Sequence, residues 1–190
     1  MNRFVYVFSY TLTPMLNFIL SVILFVSIYA NWNNYANQTG SSFVSEEVSV
    51  LEYNDNFVTL VWKCTDANQA LFQIFNTEWT STEDINDTIQ NNIDVCQNSL
   101  ETALRIWDYN NDSSLKDAVV ELLSMEVNYL DTLSKTSNYR DVTNITEEDK
   151  SKYDSVIAEL NDALNWLNQK FLEMQNIQEE FAEKYWLKLK

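Results

Sequence analysis

The sequence contains one glycine and one proline in 190 residues. β-Sheet proteins need turn residues at many places, so this scarcity predicts few turns and long helices. Apolar residues make up 46% of the chain and aromatic residues alone 14%, which is atypical of disordered segments. We therefore expect an all-α fold.

The N-terminal part of the chain is apolar and almost uncharged. No charged side chain occurs from Phe4 to Ala30, a stretch longer than the roughly 20 residues that a transmembrane helix needs. Residues 1–30 are therefore predicted to be a transmembrane anchor or uncleaved signal segment, with a cleaved signal peptide as the alternative. Both interpretations place the following residues outside the cytoplasm. Arg3 is the only basic residue before Lys63, which favours a cytoplasmic N-terminus.

A polar linker is predicted over residues 31–44, which contain the only glycine, Gly40. Trp32 and Tyr35 occupy positions where a membrane-interface aromatic belt is expected, although they are equally compatible with ordinary linker residues. Residues 45–190 then form the predicted extracytoplasmic helical bundle.

Four helices are predicted in this bundle, over about residues 45–76, 81–108, 115–135 and 146 to near the C-terminus. Thr80 and Glu83 have the spacing of a capping box, and Thr146 precedes three acidic residues that suit a helix N-terminus. Short connections favour antiparallel neighbours, so we expect an up-down-up-down four-helix bundle with a long C-terminal helix. That helix is a candidate for self-association, because it is long enough to extend past its partners.

Apolar residues recur at spacings of three and four in each predicted helix, as in coiled coils and bundles. An aromatic row at this spacing indicates a core rather than a cofactor site. The predicted core residues are Phe57, Val61, Cys64, Leu71 and Phe75; Ile89, Ile93, Cys96, Leu100, Ala103 and Trp107; Leu115, Val119, Leu122, Tyr129 and Leu133; and Ile157, Leu160, Leu164, Leu167, Phe171, Met174, Phe181 and Tyr185.

The two cysteines, Cys64 and Cys96, lie equally far from the first interhelical loop. Antiparallel helices rise equally per residue, so the two sulfurs should lie at similar height on facing stripes. This arrangement predicts a disulfide, which an oxidising compartment would allow to form. The alternative is two unpaired buried thiols.

The C-terminal residues combine basic and aromatic side chains. An even number of antiparallel helices returns the chain to its starting side, near the predicted anchor. Tyr185, Trp186 and Lys188 are residue types typical of a membrane interface. The alternative is a helix end whose cations complement the helix dipole.

Charge and composition exclude several function classes. The net charge of −16 disfavours nucleic acid, whose binding depends on basic residues. The absence of histidine excludes histidine-based catalysis, and a cysteine-only zinc site would be two ligands short. We therefore predict no enzymatic activity, no cofactor and no metal site.

Two further sets of polar residues are candidate sites. Glycosylation sequons occur at Asn37, Asn86, Asn111 and Asn144, although the abundance of Asn, Ser and Thr makes chance matches expected. Asn68 and Gln178 interrupt the apolar stripes and are candidates to face a ligand inside the bundle, the alternative being positions rotated toward solvent.

These features favour a membrane-tethered extracytoplasmic protein that acts as a protein-interaction or structural module of the cell envelope or surface, with a protein partner or a homo-oligomer. One alternative is a small-ligand or cation-binding sensor domain that signals through a partner, and another is a secreted effector if the leader is cleaved. The layout of an anchor and an extracytoplasmic four-helix bundle is similar to the sensory domains of bacterial chemoreceptors. The similarity is architectural and assigns no residues.

Overall fold

The computed structural model describes residues 49–75, 81–137 and 146–186. They form four α-helices: α1 (Val50–Phe75), α2 (Thr82–Arg105), α3 (Ser114–Ser137) and α4 (Glu147–Trp186). Within these ranges there is no strand, and the only extended pairing is an isolated bridge between Tyr109 and Asp112. The predicted all-α class and the four helices are confirmed.

The predicted anchor (residues 1–30), the linker (31–44) and Ser45 lie outside the described residues. No helix of the described part combines the length and apolar character needed to cross a bilayer.

Local side-chain hydrogen bonds define the helix starts. Ser81 caps α2, and its hydroxyl accepts a hydrogen bond from the backbone N–H of Asp84 at 3.1 Å. The cap therefore lies one residue later than the predicted box of Thr80 and Glu83. The Ser81 hydroxyl also donates a hydrogen bond to the Asp84 carboxylate, which pairs these two side chains at the start of α2. α4 begins beside Thr146, as predicted, and Thr146 caps it by exchanging hydrogen bonds with Asp149 in a reciprocal capping box.

Buried apolar side chains from all four helices form one core. Each helix packs mainly against its neighbours in sequence, and α1 also contacts α3 and α4. The stripe predicted for α3 is confirmed in full, since all five of its residues are buried. Buried members of the other predicted stripes are Phe57, Val61, Cys64, Leu71, Ile89, Ile93, Cys96, Ala103, Leu160, Leu164, Leu167, Phe171, Met174 and Phe181.

Trp107 was wrongly predicted to belong to the core. The helix ends at Arg105, and the backbone of Ile106 is extended, with φ −69° and ψ 133°. This break rotates the following residues away from the helical stripe, and Trp107 is left 90% exposed.

Candidate functional site

The cysteine pair joins the middle of α1 to the middle of α2. Cys64 and Cys96 form a disulfide with their Cα atoms 4.7 Å apart, and both are fully buried. The predicted pairing agrees with the structure. A second contact lies one turn away, where the Asn92 side chain donates a hydrogen bond to the Ala67 carbonyl at 2.7 Å.

A glutamate from α3 lies against this disulfide. The Glu126 side chain is fully buried, and its Oε2 lies 3.9 Å from Cys96 Sγ. A disulfide sulfur carries no hydrogen to donate, so this is a van der Waals contact. Asn68 Nδ2 of α1 lies 3.5 Å from the same oxygen, which is the limit of a weak hydrogen bond. Three helices therefore place Cys64, Cys96, Asn68 and Glu126 in one group, which we call the Glu126 cluster.

The Glu126 cluster is compact and incompletely hydrogen-bonded. One ligand-type atom from each of Cys64, Cys96 and Glu126 lies within 4.8 Å of the other two. Glu126 Oε1 and Asn68 Oδ1 are buried and have no hydrogen-bond partner among the described residues. Buried polar atoms are normally paired, and an unpaired one costs about 1–3 kcal/mol. The two unpaired oxygens therefore lower the free energy of unfolding.

Burial controls the protonation of Glu126. Removal from water disfavours the charged carboxylate and raises the pKa of Glu126 from 4.5 to about 8. None of the ion pairs found in the described residues includes Glu126. Glu126 is therefore mostly protonated at neutral pH and carries an O–H donor. A rotation of the Asn68 amide would present its unpaired oxygen to that donor.

The sequence carried a signal for Glu126 that the stripe prediction missed. The α3 stripe steps by four and three residues through Leu115, Val119 and Leu122, and then resumes at Tyr129. Glu126 occupies the position between Leu122 and Tyr129 at which an apolar residue is expected. The sequence signal for Glu126 is therefore a charged residue at a position of the heptad stripe where an apolar residue is expected.

The two polar residues predicted to interrupt the stripes are both buried, but they lie in different places. Asn68, 6% exposed, belongs to the Glu126 cluster. Gln178, 7% exposed, donates a hydrogen bond to Asn54 Oδ1 of α1 at 2.8 Å. Asn54 lies about 20 Å along α1 from Asn68 at the helical rise per residue. The structure therefore does not bring Asn68 and Gln178 into one site.

A second polar feature is the turn between α2 and α3. Asn110 and Asn111 have φ angles of 51° and 61°, a left-handed conformation that Asn tolerates better than most residues. The backbone N–H of Asp112 closes this turn by donating to the Tyr109 carbonyl at 2.9 Å. This conformation directs the Asp112 carboxylate toward the end of α4.

The end of α4 is held by Asp112. Lys184 and Tyr185 both donate hydrogen bonds to Asp112 Oδ2, and the Ser114 backbone N–H donates to Oδ1. The neighbouring Lys184 ammonium is the main reason why the pKa of Asp112 lies well below its usual range. The Tyr185 ring also contacts Tyr109, with ring centroids 5.0 Å apart. The C-terminal end of α4 is thus fastened to the α2–α3 turn.

The start of α1 lies at this same end of the bundle. The Tyr53 ring lies 5.3 Å from Tyr109 and 5.5 Å from Phe181, measured between centroids. Of the predicted interface residues, Tyr185 is partly buried in this aromatic group, and Trp186 is the last residue of α4. Trp32, Tyr35 and Lys188 lie outside the described residues.

Two of the four sequons are described. Asn86 is exposed on the second turn of α2, and Asn111 is exposed at the tip of the α2–α3 turn. Asn37 and Asn144 lie outside the described residues. Asn111 is therefore the sequon with the most loop-like setting among the described residues.

Comparisons with protein-family models, curated proteins and solved structures found no match. The two strongest features of the chain are the Glu126 cluster and the end of the bundle that contains Trp107 and Asp112.

Proposed function

We propose that this protein is a membrane-tethered, extracytoplasmic helical bundle that acts as an interaction or structural module of the cell envelope or surface. The observation that carries the proposal is the buried disulfide between Cys64 and Cys96. Structural disulfides persist mainly in oxidising compartments outside the cytoplasm. The uncharged segment from Phe4 to Ala30 supplies a means of export and attachment.

We further propose that the helices alternate in direction, up-down-up-down. In two pairs of helices, contacts at higher residue numbers in one helix involve lower numbers in the other, which supports antiparallel packing. The supporting pairs are Cys64–Cys96 and Ala67–Asn92 for α1 and α2, and Glu121–Lys170 for α3 and α4, together with Asp112, in the turn just before α3, and Lys184 of α4.

This arrangement gives the bundle a membrane-proximal end. The chain enters α1 at Val50, and the start of α1, the α2–α3 turn and the end of α4 are in mutual contact. Trp107 lies just before that turn and is 90% exposed. Tryptophan favours the membrane interface, where its ring is apolar and its N–H remains hydrated. We place Trp107 at this interface together with the predicted aromatic residues.

A labelling experiment tests the topology. An Asn111→Cys variant of the full-length protein should react with a membrane-impermeant maleimide in intact cells, because Asn111 is exposed at the α2–α3 turn. The matched Asn2→Cys variant should react only after permeabilisation. Labelling of residue 2 but not residue 111 in intact cells would refute the proposed orientation.

Three further measurements separate anchoring and association from secretion. Resistance of the protein to extraction at alkaline pH would support an anchored N-terminus. A mature N-terminus beyond residue 30 would instead support the secreted alternative. The native mass of the detergent-solubilised protein tests for a homo-oligomer or a bound partner.

A cation-binding sensor domain is the second candidate. It is favoured by the unpaired buried oxygens of Asn68 and Glu126, which lie between helices rather than at the surface. A bound cation would pair with both oxygens. Titration of the disulfide-bonded protein with Ca²⁺, followed by thermal unfolding, tests this candidate, since a ligand specific for the native state raises the unfolding temperature.

A further inference from the structure

The Glu126 cluster contains the donor atoms of a metal site, but the disulfide occupies two of them. Sulfur binds a metal as a thiolate, and the sulfurs of Cys64 and Cys96 are bonded to each other instead. Reduction by two external thiols changes this state. The S–S bond accepts two electrons and two protons to give two cysteine thiols, while the external thiols are oxidised to a disulfide.

We propose that the reduced Glu126 cluster is a zinc site in which the ligands are Cys64, Cys96, Glu126 and the side-chain oxygen of Asn68. The two cysteines alone are two ligands short of the tetrahedral coordination that zinc adopts in structural sites. The fold supplies a carboxylate from α3 at the same place. The Asn68 side chain of α1, whose nitrogen lies 3.5 Å from Glu126 Oε2, supplies an amide oxygen after rotation of its amide group.

The distances in the cluster suit this coordination after a small rearrangement. Zn–S bonds of about 2.3 Å and Zn–O bonds of about 2.1 Å place the ligand atoms of a tetrahedral site roughly 3.5 Å apart. One atom from each of Cys64, Cys96 and Glu126 already lies within 4.8 Å of the other two. Cleavage of the S–S bond lets the sulfurs separate, and the Glu126 carboxylate moves inward by up to about 1.3 Å, the difference between 4.8 Å and the tetrahedral spacing, to complete the site.

The unpaired oxygens point to a ligand independently of the sulfurs. Glu126 is fully buried and Asn68 is 6% exposed, and each has a side-chain oxygen without a hydrogen-bond partner. A zinc ion would pair with the Asn68 oxygen and, after rotation of the carboxylate, with Glu126 Oε1, since Oε2 is the oxygen that lies 3.9 Å from Cys96 Sγ. It would also offset two of the three negative charges of the two thiolates and the carboxylate, which have no basic partner among the described ion pairs. The thiol and carboxyl protons leave to solvent when the ion binds.

The burial of the cluster indicates a structural site rather than a catalytic one. A catalytic zinc keeps a position open to water or substrate, whereas the atoms of this cluster are enclosed by α1, α2 and α3. Zinc would therefore clip α1 to α2 in the reduced protein, as the disulfide does in the oxidised protein. This inference does not depend on the proposed membrane orientation.

The test compares oxidised and reduced protein after loading during refolding, because the folded cluster is closed. Full-length protein in detergent is unfolded with a phosphine reductant, which offers no thiol ligand, and is refolded with Co²⁺ or Zn²⁺ alone. Reduced wild type should bind one Co²⁺ per chain, with a thiolate-to-cobalt charge-transfer band and the visible bands of tetrahedral cobalt. Zn²⁺ should displace the cobalt, and protein refolded without reductant should show no band.

Variants then test the contribution of Glu126. In the reduced state, Glu126→Gln should weaken zinc binding at least about tenfold, the lower range seen for lost supporting interactions at metal sites. Glu159→Gln is the matched control, since Glu159 is exposed on α4, and it should bind as wild type does. Far-UV circular dichroism establishes whether each reduced protein has refolded.

If reduced wild type binds no stoichiometric Co²⁺ or Zn²⁺, or if Glu126→Gln binds with wild-type affinity, the assigned site is wrong. A reduced chain that is unfolded without metal and recovers its helices with Zn²⁺ supports the proposal. A chain that stays unfolded with Zn²⁺ contradicts it.

Discussion

Replacing Glu126 with glutamine should change the pH dependence of stability in the disulfide-bonded protein. Burial raises the pKa of Glu126 from 4.5 to about 8, so the folded protein retains a proton that the unfolded chain releases. The stabilisation associated with this proton is complete below pH 4.5 and is lost as the pH rises through about 8. Glutamine has a similar shape and does not ionise, so the Glu126→Gln variant lacks this loss.

The size of the effect follows from the same values. Over the interval from pH 4.5 to about 8, the free energy of unfolding of wild type should fall by about 1.4 kcal/mol per pH unit, or roughly 5 kcal/mol in total. The two proteins should be similar in stability near pH 4.5, and the variant should be the more stable by several kcal/mol above pH 8.

Urea unfolding followed by circular dichroism measures this difference. The full-length protein is used in detergent, oxidised and with a chelator present, at half-unit steps of pH. Glu159→Gln, which changes an exposed glutamate, should retain the wild-type pH dependence. Parallel pH profiles for wild type and Glu126→Gln would refute the interpretation of Glu126 as a buried, protonated acid.

Four further variants test other parts of the structure. Replacing Cys64 and Cys96 together by alanine should lower the free energy of unfolding by about 4 kcal/mol, because the disulfide closes a loop over a sequence separation of 32. Urea titrations measure this loss, and an unchanged midpoint would contradict a formed disulfide. Asp112→Asn should cost about 1 kcal/mol at pH 7. The difference should begin to shrink as the pH falls below about 3.8 and should be lost only as the pH falls through the lower pKa of the folded protein, because a carboxylate whose pKa is lowered by folding stabilises only while it is ionised in the fold. Equal sensitivity of both proteins to acid would argue against this. Trp107→Ala should leave the free energy of unfolding within about 0.5 kcal/mol of wild type, because Trp107 is exposed, whereas Phe171→Ala should cost about 3–5 kcal/mol, because Phe171 is buried. A large loss for Trp107→Ala in thermal unfolding would show that Trp107 is part of the core.

Regular spacing made the helices and much of the core predictable. Leu160, Leu164 and Leu167 recur at steps of four and three, and burying one face of α4 buries all of them. The disulfide followed from the equal distances of Cys64 and Cys96 from one loop, since antiparallel helices with equal rise bring such positions to one height. These features depend on the spacing of residues along each helix, which can be read directly from the sequence.

The errors arose where one residue decides the local geometry. Trp107 continues the spacing of the α2 stripe, but the helix ends two residues earlier because the Ile106 backbone is extended. Ser81 replaces Thr80 as the α2 cap, since both residues have hydroxyls and acids follow at suitable spacings after each. Helix ends therefore depend on competition between neighbouring caps, which periodicity does not resolve.

Contacts between distant segments could not be read from the sequence. The attraction of Lys184 to Asp112 joins residues 72 positions apart, and it requires the left-handed turn at Asn110 and Asn111. Glu126 is intermediate between these cases. Its place on the α3 stripe was visible, but its contact with Cys96 depends on the packing of α3 against α2.

The oxidation state of the cysteine pair in the native protein tests the central claim most directly. Cells are quenched in acid, free thiols are alkylated under denaturing conditions, and the intact mass of the protein is measured with and without prior reduction. The account predicts that Cys64 and Cys96 take up alkylating groups only after reduction. Complete alkylation of both residues without reduction would contradict a disulfide-clipped bundle folded outside the cytoplasm.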